Sequence, residues 1–312
     1  MKFTELLLTA VLAGLLAACT PRGEAPAELR RLDRELSRGA MPSDPAGRRA
    51  VEALFAVSGY GEPTDSALRA YTHNPSITAH TAAVDSAFAS AADVEQSLGR
   101  IAARLPEVLP GTAVPGFYAI VSPFNQSVIV ADTMVFIGLN HYLGEGYVPY
   151  GYFPDFIRRR KTPGRLPVDV AEALVRVSRP FTPDGTPTLL QVMLYEGAVS
   201  HAVSELTGTA PEQVPGFSPA ELKYLADHED EVWRLMAERK WLYSSDPAVL
   251  RSFIALSPAT TLLSPEAPGA AGRWTGTRIV SAYLAGHPDA KAADLLSPDF
   301  YTDPASLRES GY

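Results

Sequence analysis

FYAIVSPFNQSVIVADTMVFIGL, residues 117–139, decides the fold class. Phe117-Tyr118-Ala119-Ile120-Val121 is a run of aromatic and β-branched residues, side chains that pack well on a pleated surface. Ser127-Val128-Ile129-Val130-Ala131 and Met134-Val135-Phe136-Ile137-Gly138-Leu139 repeat that texture on either side of Asp132-Thr133. Two such runs joined by so short a link read as a β-hairpin. Outward from this stretch the period changes. Upstream, Val51, Leu54 and Phe55, then Val84, Phe88, Ala92, Val94, Leu98 and Ile101, recur mostly at three- and four-residue steps as far as Leu105-Pro106, where proline should stop the helix. Downstream of an irregular aromatic and glycine-rich segment, 142–152, helices are expected over 168–177, 188–206, 219–239, 247–253, 273–285 and 289–296. Ser218-Pro219 and Asp246-Pro247 are start signals, because proline is pre-set for the first helical position. The pattern predicts an α+β fold, mainly α-helical with a small central β-sheet or hairpin.

The first residues read differently. Lys2 precedes an apolar run from Leu6 to Ala18 that is shorter than the roughly 20 residues of a spanning helix and ends in small side chains, the signature of a cleaved signal peptide. Leu16-Ala17-Ala18-Cys19 resembles the lipobox of bacterial lipoproteins, which implies cleavage before Cys19 and lipid on its sulfur. Cys19 is the only cysteine in 312 residues, so it has no disulfide partner within the chain. Thr20 is not the aspartate that commonly retains such proteins at the inner membrane, which points to the outer membrane. The organisation expected is a signal peptide over 1–18, a lipidated tether over 19–27, and one globular domain over 28–312, helical over 28–110 and carrying the hairpin and C-terminal helices over 111–312.

Composition narrows the partners. The chain is 46% hydrophobic and 20% charged, ordinary for a protein that buries a core. Its net charge of -8 has the wrong sign for a phosphate-backbone binder, and no Gly-rich phosphate loop is present, so neither nucleic acid nor nucleotide is an expected partner. The run Arg158-Arg159-Arg160-Lys161 reads most simply as a solvated face or loop. The membrane, through the lipid, and proteins of the envelope are the expected partners, with no cofactor besides the lipid on Cys19.

Five pieces stand in order downstream of the hairpin start: 137–144 (IGLNHYLG), 195–197 (YEG), 229–233 (EDEVW), 242–244 (LYS) and 272–283 (GRWTGTRIVSAY). In this order, on a chain with a lipobox, they resemble the gliding-motility-associated GldB-like lipoproteins of Bacteroidetes, from about Phe117 to the C-terminus. The chain departs from that pattern at Asn140-His141, where an aspartate is frequent, and at Ala198, where a lysine is usual. The resemblance implies an envelope lipoprotein of gliding motility or of the secretion apparatus that shares its parts, and no known reaction.

A more distant resemblance, to zinc metallopeptidases of the gluzincin type, rests on the order of a hairpin, a helix and a later Glu196-Gly197-Ala198. It implies a zincin-like fold, but the motif helix reads Ala171-Glu172-Ala173-Leu174-Val175, with aliphatic residues where two histidines would hold zinc. No catalytic residue is therefore assigned. An unusual metal site built from His141, Glu196, His201 and Glu205 is the alternative, since His201 and Glu205 lie four apart on one helix; the ordinary reading of that pair is a helix-face contact. His73, His80, His228 and His287 have no ligand spacing. Trp233, Trp241 and Trp274 read first as core; Trp233, Trp274 and Arg278 are also interface candidates, because Trp and Arg are enriched at binding hot spots.

Overall fold

The computed structural model describes residues 24–312; the expected signal peptide and Cys19 lie outside the described residues. The chain enters through a two-residue strand, β1 (Leu29–Arg30), and five helices: α1 (Leu32–Leu36), α2 (Pro45–Val57), α3 (Asp65–Thr72), α4 (Pro75–Ala87) and α5 (Ala92–Val108). Asp44, Thr64 and Asn74 each accept a backbone N–H of the helix they precede, satisfying donors that have no partner inside the helix. Pro106 does not stop α5. It sits in the last turn, where one ladder bond is forfeited, and the helix ends at Val108. Of the expected tether, Glu24 to Ala27 lie against α5. Glu24 pairs with Arg100 and Arg104, the Ala27 N–H donates to the Glu95 carbonyl, and a side chain on Gly99 would meet the Ala25 carbonyl oxygen at 2.0 Å. Among the described residues, 24–27 of the expected tether are therefore packed on α5.

Three strands follow: β2 (Gly116–Ile120), β3 (Val128–Ala131) and β4 (Met134–Gly138). β3 and β4 form the expected hairpin, with Ala131 opposite Met134 and the turn residue Asp132 at φ 53°, a left-handed conformation that aspartate tolerates better than most residues. The sheet order is β1-β2-β4-β3, so the hairpin's inner strand lies parallel to β2 (Phe117 opposite Val135) and β3 forms an edge. β1 was not foreseen; a two-residue strand is too short to show a period.

Beyond the sheet come α6 (Asp155–Arg158), α7 (Leu166–Ser178), α8 (Leu189–Thr207), α9 (Pro219–Asp227), α10 (Glu229–Glu238), α11 (Pro247–Ile254), α12 (Ala271–Gly286), α13 (Ala292–Leu295), α14 (Pro298–Tyr301) and α15 (Pro304–Ser310). The helix expected over 219–239 is broken at His228. An unbroken helix would set Asp227 one turn from Glu231, whereas a new start puts Glu229, Asp230 and Glu231 at a helix N-terminus, where the dipole favours them. The helix expected over 289–296 contracts to α13, because 287–290 closes as a turn with the Ala290 N–H on the His287 carbonyl.

α8 is the central helix. A capping box of Thr188 and Gln191 opens it, left-handed Gly208 closes it, and α5, α7, α11 and α12 pack around it. One core cluster runs from Leu29 to Tyr301 through both the sheet and the helices. Two glycines set the α8–α12 spacing: a side chain on Gly197 would reach the Gly276 carbonyl oxygen at 2.2 Å, and one on Gly276 would reach that of Met193 at 1.9 Å.

Candidate functional site

α7 carries Asp169, Glu172 and Arg176 at spacings that stack one above another on a face, with Arg165 just ahead of it. The face looks two ways. Toward α8 and α12, Glu172 accepts from Arg273 (2.7 Å), Arg176 (2.8 Å) and Arg165 (3.3 Å). Glu196, one residue before the tight glycine on α8, receives both terminal nitrogens of Arg176, at 2.9 and 2.7 Å. Arg273 lies three residues before Gly276, so the close helix approach also brings its Nε to 2.8 Å from Glu196, without the alignment of a hydrogen bond. Burial alone would raise both carboxyls; Arg273 and Arg176 outweigh it and hold both below their ordinary range, Glu172 with further help from Arg165.

Toward the sheet, α7 forms one wall of a cleft of about 470 Å³. The other walls are the β2–β3 loop, the start of β3, and the segment after β4. That segment is fixed from within. Buried Asn140 exchanges hydrogen bonds with the Ser122 backbone at 3.0 and 2.8 Å, and the Tyr150 hydroxyl donates to the Asn140 carbonyl. The region between β4 and α6, irregular in sequence, is therefore well packed: Tyr142 and Tyr150 are fully buried, and the Tyr142 hydroxyl donates to Asp169 at 3.0 Å.

Into the cleft come Arg160 and Lys161. The Lys161 ammonium lies 4.5 Å from the Phe153 ring centre, 5.3 Å from Tyr150 and 5.4 Å from Phe124, positions in which ring quadrupoles attract a cation. It donates to His141 Nδ1 at 3.3 Å, which leaves Nε2 to carry the imidazole proton toward Ser122 Oγ and the Pro123 carbonyl. Burial, and then Lys161 beside it, hold His141 down at about 3, so the ring is neutral near pH 7. Arg160 donates to the Pro215 carbonyl, and burial brings its guanidinium down to about 10. The run expected to be solvated is thus divided. Arg158 pairs with Asp155 and Arg159 with Glu221, while Arg160 and Lys161 face inward because the aromatic segment folds beneath them.

The four residues of the alternative metal site do not converge. His141 is in the cleft, Glu196 is held by guanidinium groups, His201 bonds Ser281 on α12 at 2.9 Å, and Glu205 lies one turn further along α8, where Arg104 donates to its backbone carbonyl. Among the described residues no three His, Cys, Asp or Glu side chains are grouped to hold a metal. Ala171 and Val175, at the would-be histidine positions, are buried. Of the interface candidates, Trp274 is only 3% exposed and packs with Leu225 and Ala271, so it presents little to a partner. Arg278 lies over it and bonds Glu229 at 2.9 Å; the Tyr312 hydroxyl donates to the same carboxylate, and Trp233 meets the Tyr312 ring edge-on. These residues fasten the C-terminus to α10. Sequence reading missed Arg160, Lys161, Arg176 and Arg273; the available signal was a basic run following an aromatic segment.

No helix among the described residues is long and apolar enough to cross a membrane. No curated protein and no solved structure matches the chain. The family model described as gliding motility protein GldB matches residues 24–312, all of the described residues; the protein belongs to that family and, with it, to gliding motility and the cell envelope.

Proposed function

We propose that the protein is an outer-membrane lipoprotein, anchored through Cys19, that serves the gliding machinery or the associated protein-secretion machinery by docking other envelope proteins rather than by catalysis. One observation carries the non-catalytic part. Glu172 and Glu196, the two carboxylates a zincin-like site would use as base and ligand, are saturated by Arg165, Arg176 and Arg273. A carboxylate bonded to several guanidinium groups is a poor base and a poor metal ligand. The anchoring part rests on Leu16-Ala17-Ala18-Cys19 and on the absence of a second cysteine. Docking is supported by two exposed apolar side chains in segment 148–152: Val148 is 87% exposed, and Tyr152, 67% exposed, lies against Phe124 at the cleft.

Deletion of the gene is expected to abolish colony spreading or impair protein export, with wild type restoring both. Cys19→Ser is expected to fractionate as a soluble protein and to fail in complementation, because it removes the only thiol that can accept lipid. Normal spreading and export in the deletion strain would overturn the machinery role. A serine variant still wholly in the outer membrane would overturn the anchor. Stoichiometric zinc in protein purified without chelator would overturn the non-catalytic reading.

A further inference from the structure

The cleft holds a charge imbalance that the fold does not resolve. Arg165, Arg176 and Arg273 are matched by Asp169, Glu172 and Glu196 in a continuous set of ion pairs. Arg160 and Lys161 are additional. Among the described residues, the first donates only to a backbone carbonyl and the second only to a neutral imidazole. Asp169 and Glu172 lie near enough to favour these charges but are already paired with Arg165, Arg176 and Arg273, so five cations share three carboxylates, and the unspent donors of Arg160 and Lys161 are available in a concave site. One wall carries the α7 charges Asp169, Glu172 and Arg176, already paired; apolar surface comes from Phe124, Phe153 and Ile157, and the small polar side chains of Asn125 and Ser127 also line the cleft. Small-ligand sites commonly take this form, an apolar enclosure with a few convergent polar groups.

We propose that the cleft binds an organic oxyanion, with a carboxylate or phosphate group seated on Arg160 and Lys161 and an apolar body against Phe124, Phe153 and Ile157. Arg160 supplies a planar fork and Lys161 a point charge, the two donor types that oxyanion recognition draws on. His141 is a positioning residue: its acceptor nitrogen holds the Lys161 ammonium among the rings. The inference does not rest on the docking role and would stand if that role failed.

Calorimetric titration of the full chain in non-ionic detergent tests it with four probes: N-acetylphenylalanine, its uncharged amide, phenyl phosphate and inorganic phosphate. One of the aromatic anions, at least, is expected to bind about tenfold more tightly than the amide or better. The tighter of the two assigns the ligand to the carboxylate or the phosphate class. Lys161→Met and Arg160→Gln are each expected to weaken that anion by about tenfold while barely changing the amide, and Lys161→Arg should recover most of the loss. Equal affinity for anion and amide, or unchanged affinity in both variants, would overturn the proposal. Inorganic phosphate binding as tightly as phenyl phosphate would overturn its apolar half. Should Lys161→Met fail to fold, the wild-type comparison of anion with amide still decides.

Discussion

Two groups of charges share α7, and they are built on opposite principles. On the side facing α8 and α12, each carboxylate is met by guanidinium groups, and Glu172, Glu196 and Arg273 are nearly sealed from solvent. On the side facing the sheet, Arg160 and Lys161 are held by a carbonyl, an imidazole and aromatic faces, with no carboxylate in contact among the described residues. The closed group holds its charges because removing any one strands its partners; the open group feels Asp169 across the cleft but is directly paired with no carboxylate among the described residues. Balanced burial is a structural device, and unbalanced burial beside a cleft needs a ligand to complete it.

The difference can be broken from the closed side first. Arg273→Met leaves Glu172 and Glu196 buried with one cation fewer, and breaking a buried pair in this way costs about 3–5 kcal/mol. Chemical denaturation of wild type and variant measures it, and a loss below about 1 kcal/mol would show that the set is not cooperative. The open side should respond in the other direction. Lys161→Met removes an unpaired, half-buried cation and keeps an apolar stem among the rings, so stability is expected to stay level or rise by about 1 kcal/mol in the same assay. A loss as large as that of Arg273→Met would erase the distinction between the two groups.

Acid sharpens the comparison by separating the two groups along the pH axis. The His141 value is depressed from 6.5 to about 3, so the unfolded chain binds its proton first; this residue's contribution is complete above pH 6.5 and is lost as pH falls toward 3. Glu172 is depressed from 4.5, so its contribution is present above about pH 4.5 and is lost as pH falls below it. His141→Gln is therefore expected to flatten the stability profile between pH 6.5 and 4.5, and Glu172→Gln to flatten only the limb below 4.5. Parallel profiles for wild type and both variants, measured by denaturation at stepped pH, would show that neither group carries the linkage.

Local signals were legible in the sequence and distant pairings were not. The β3–β4 hairpin follows from β-branched runs around Asp132-Thr133, α8 from its apolar period, and α9 and α11 from proline at their starts. Glu196 and His141 are singled out in the sequence only as members of an alternative metal site, and both are buried. Their roles were not readable, because the partner of Glu196 comes from α7 and α12 and that of His141 from a basic run that resembles a solvated loop. Arg273 and Glu172 are 101 positions apart, and no spacing rule joins residues at that separation. Trp274 was weighed as a hot spot by residue type, yet a tryptophan that fills a small satellite core with Leu225 looks no different in sequence. The break at His228 could have been foreseen, since an acidic run within a continuous helix pattern is itself a start signal.

The docking of Glu24 on Arg100 and Arg104 sets the geometry of the proposed anchor. Between Cys19 and Glu24 lie five peptide steps, which fully drawn out span no more than about 18 Å. That is less than the thickness of a bilayer's hydrocarbon core, roughly 30 Å. With Cys19 lipidated as proposed, a protein moored so closely would sample a thin shell of space above the lipid and keep the α5 end of the molecule toward it. The search for a proposed membrane partner would then be nearly two-dimensional, with an effective concentration set by that partner's density in the membrane rather than by its amount in the surrounding fluid.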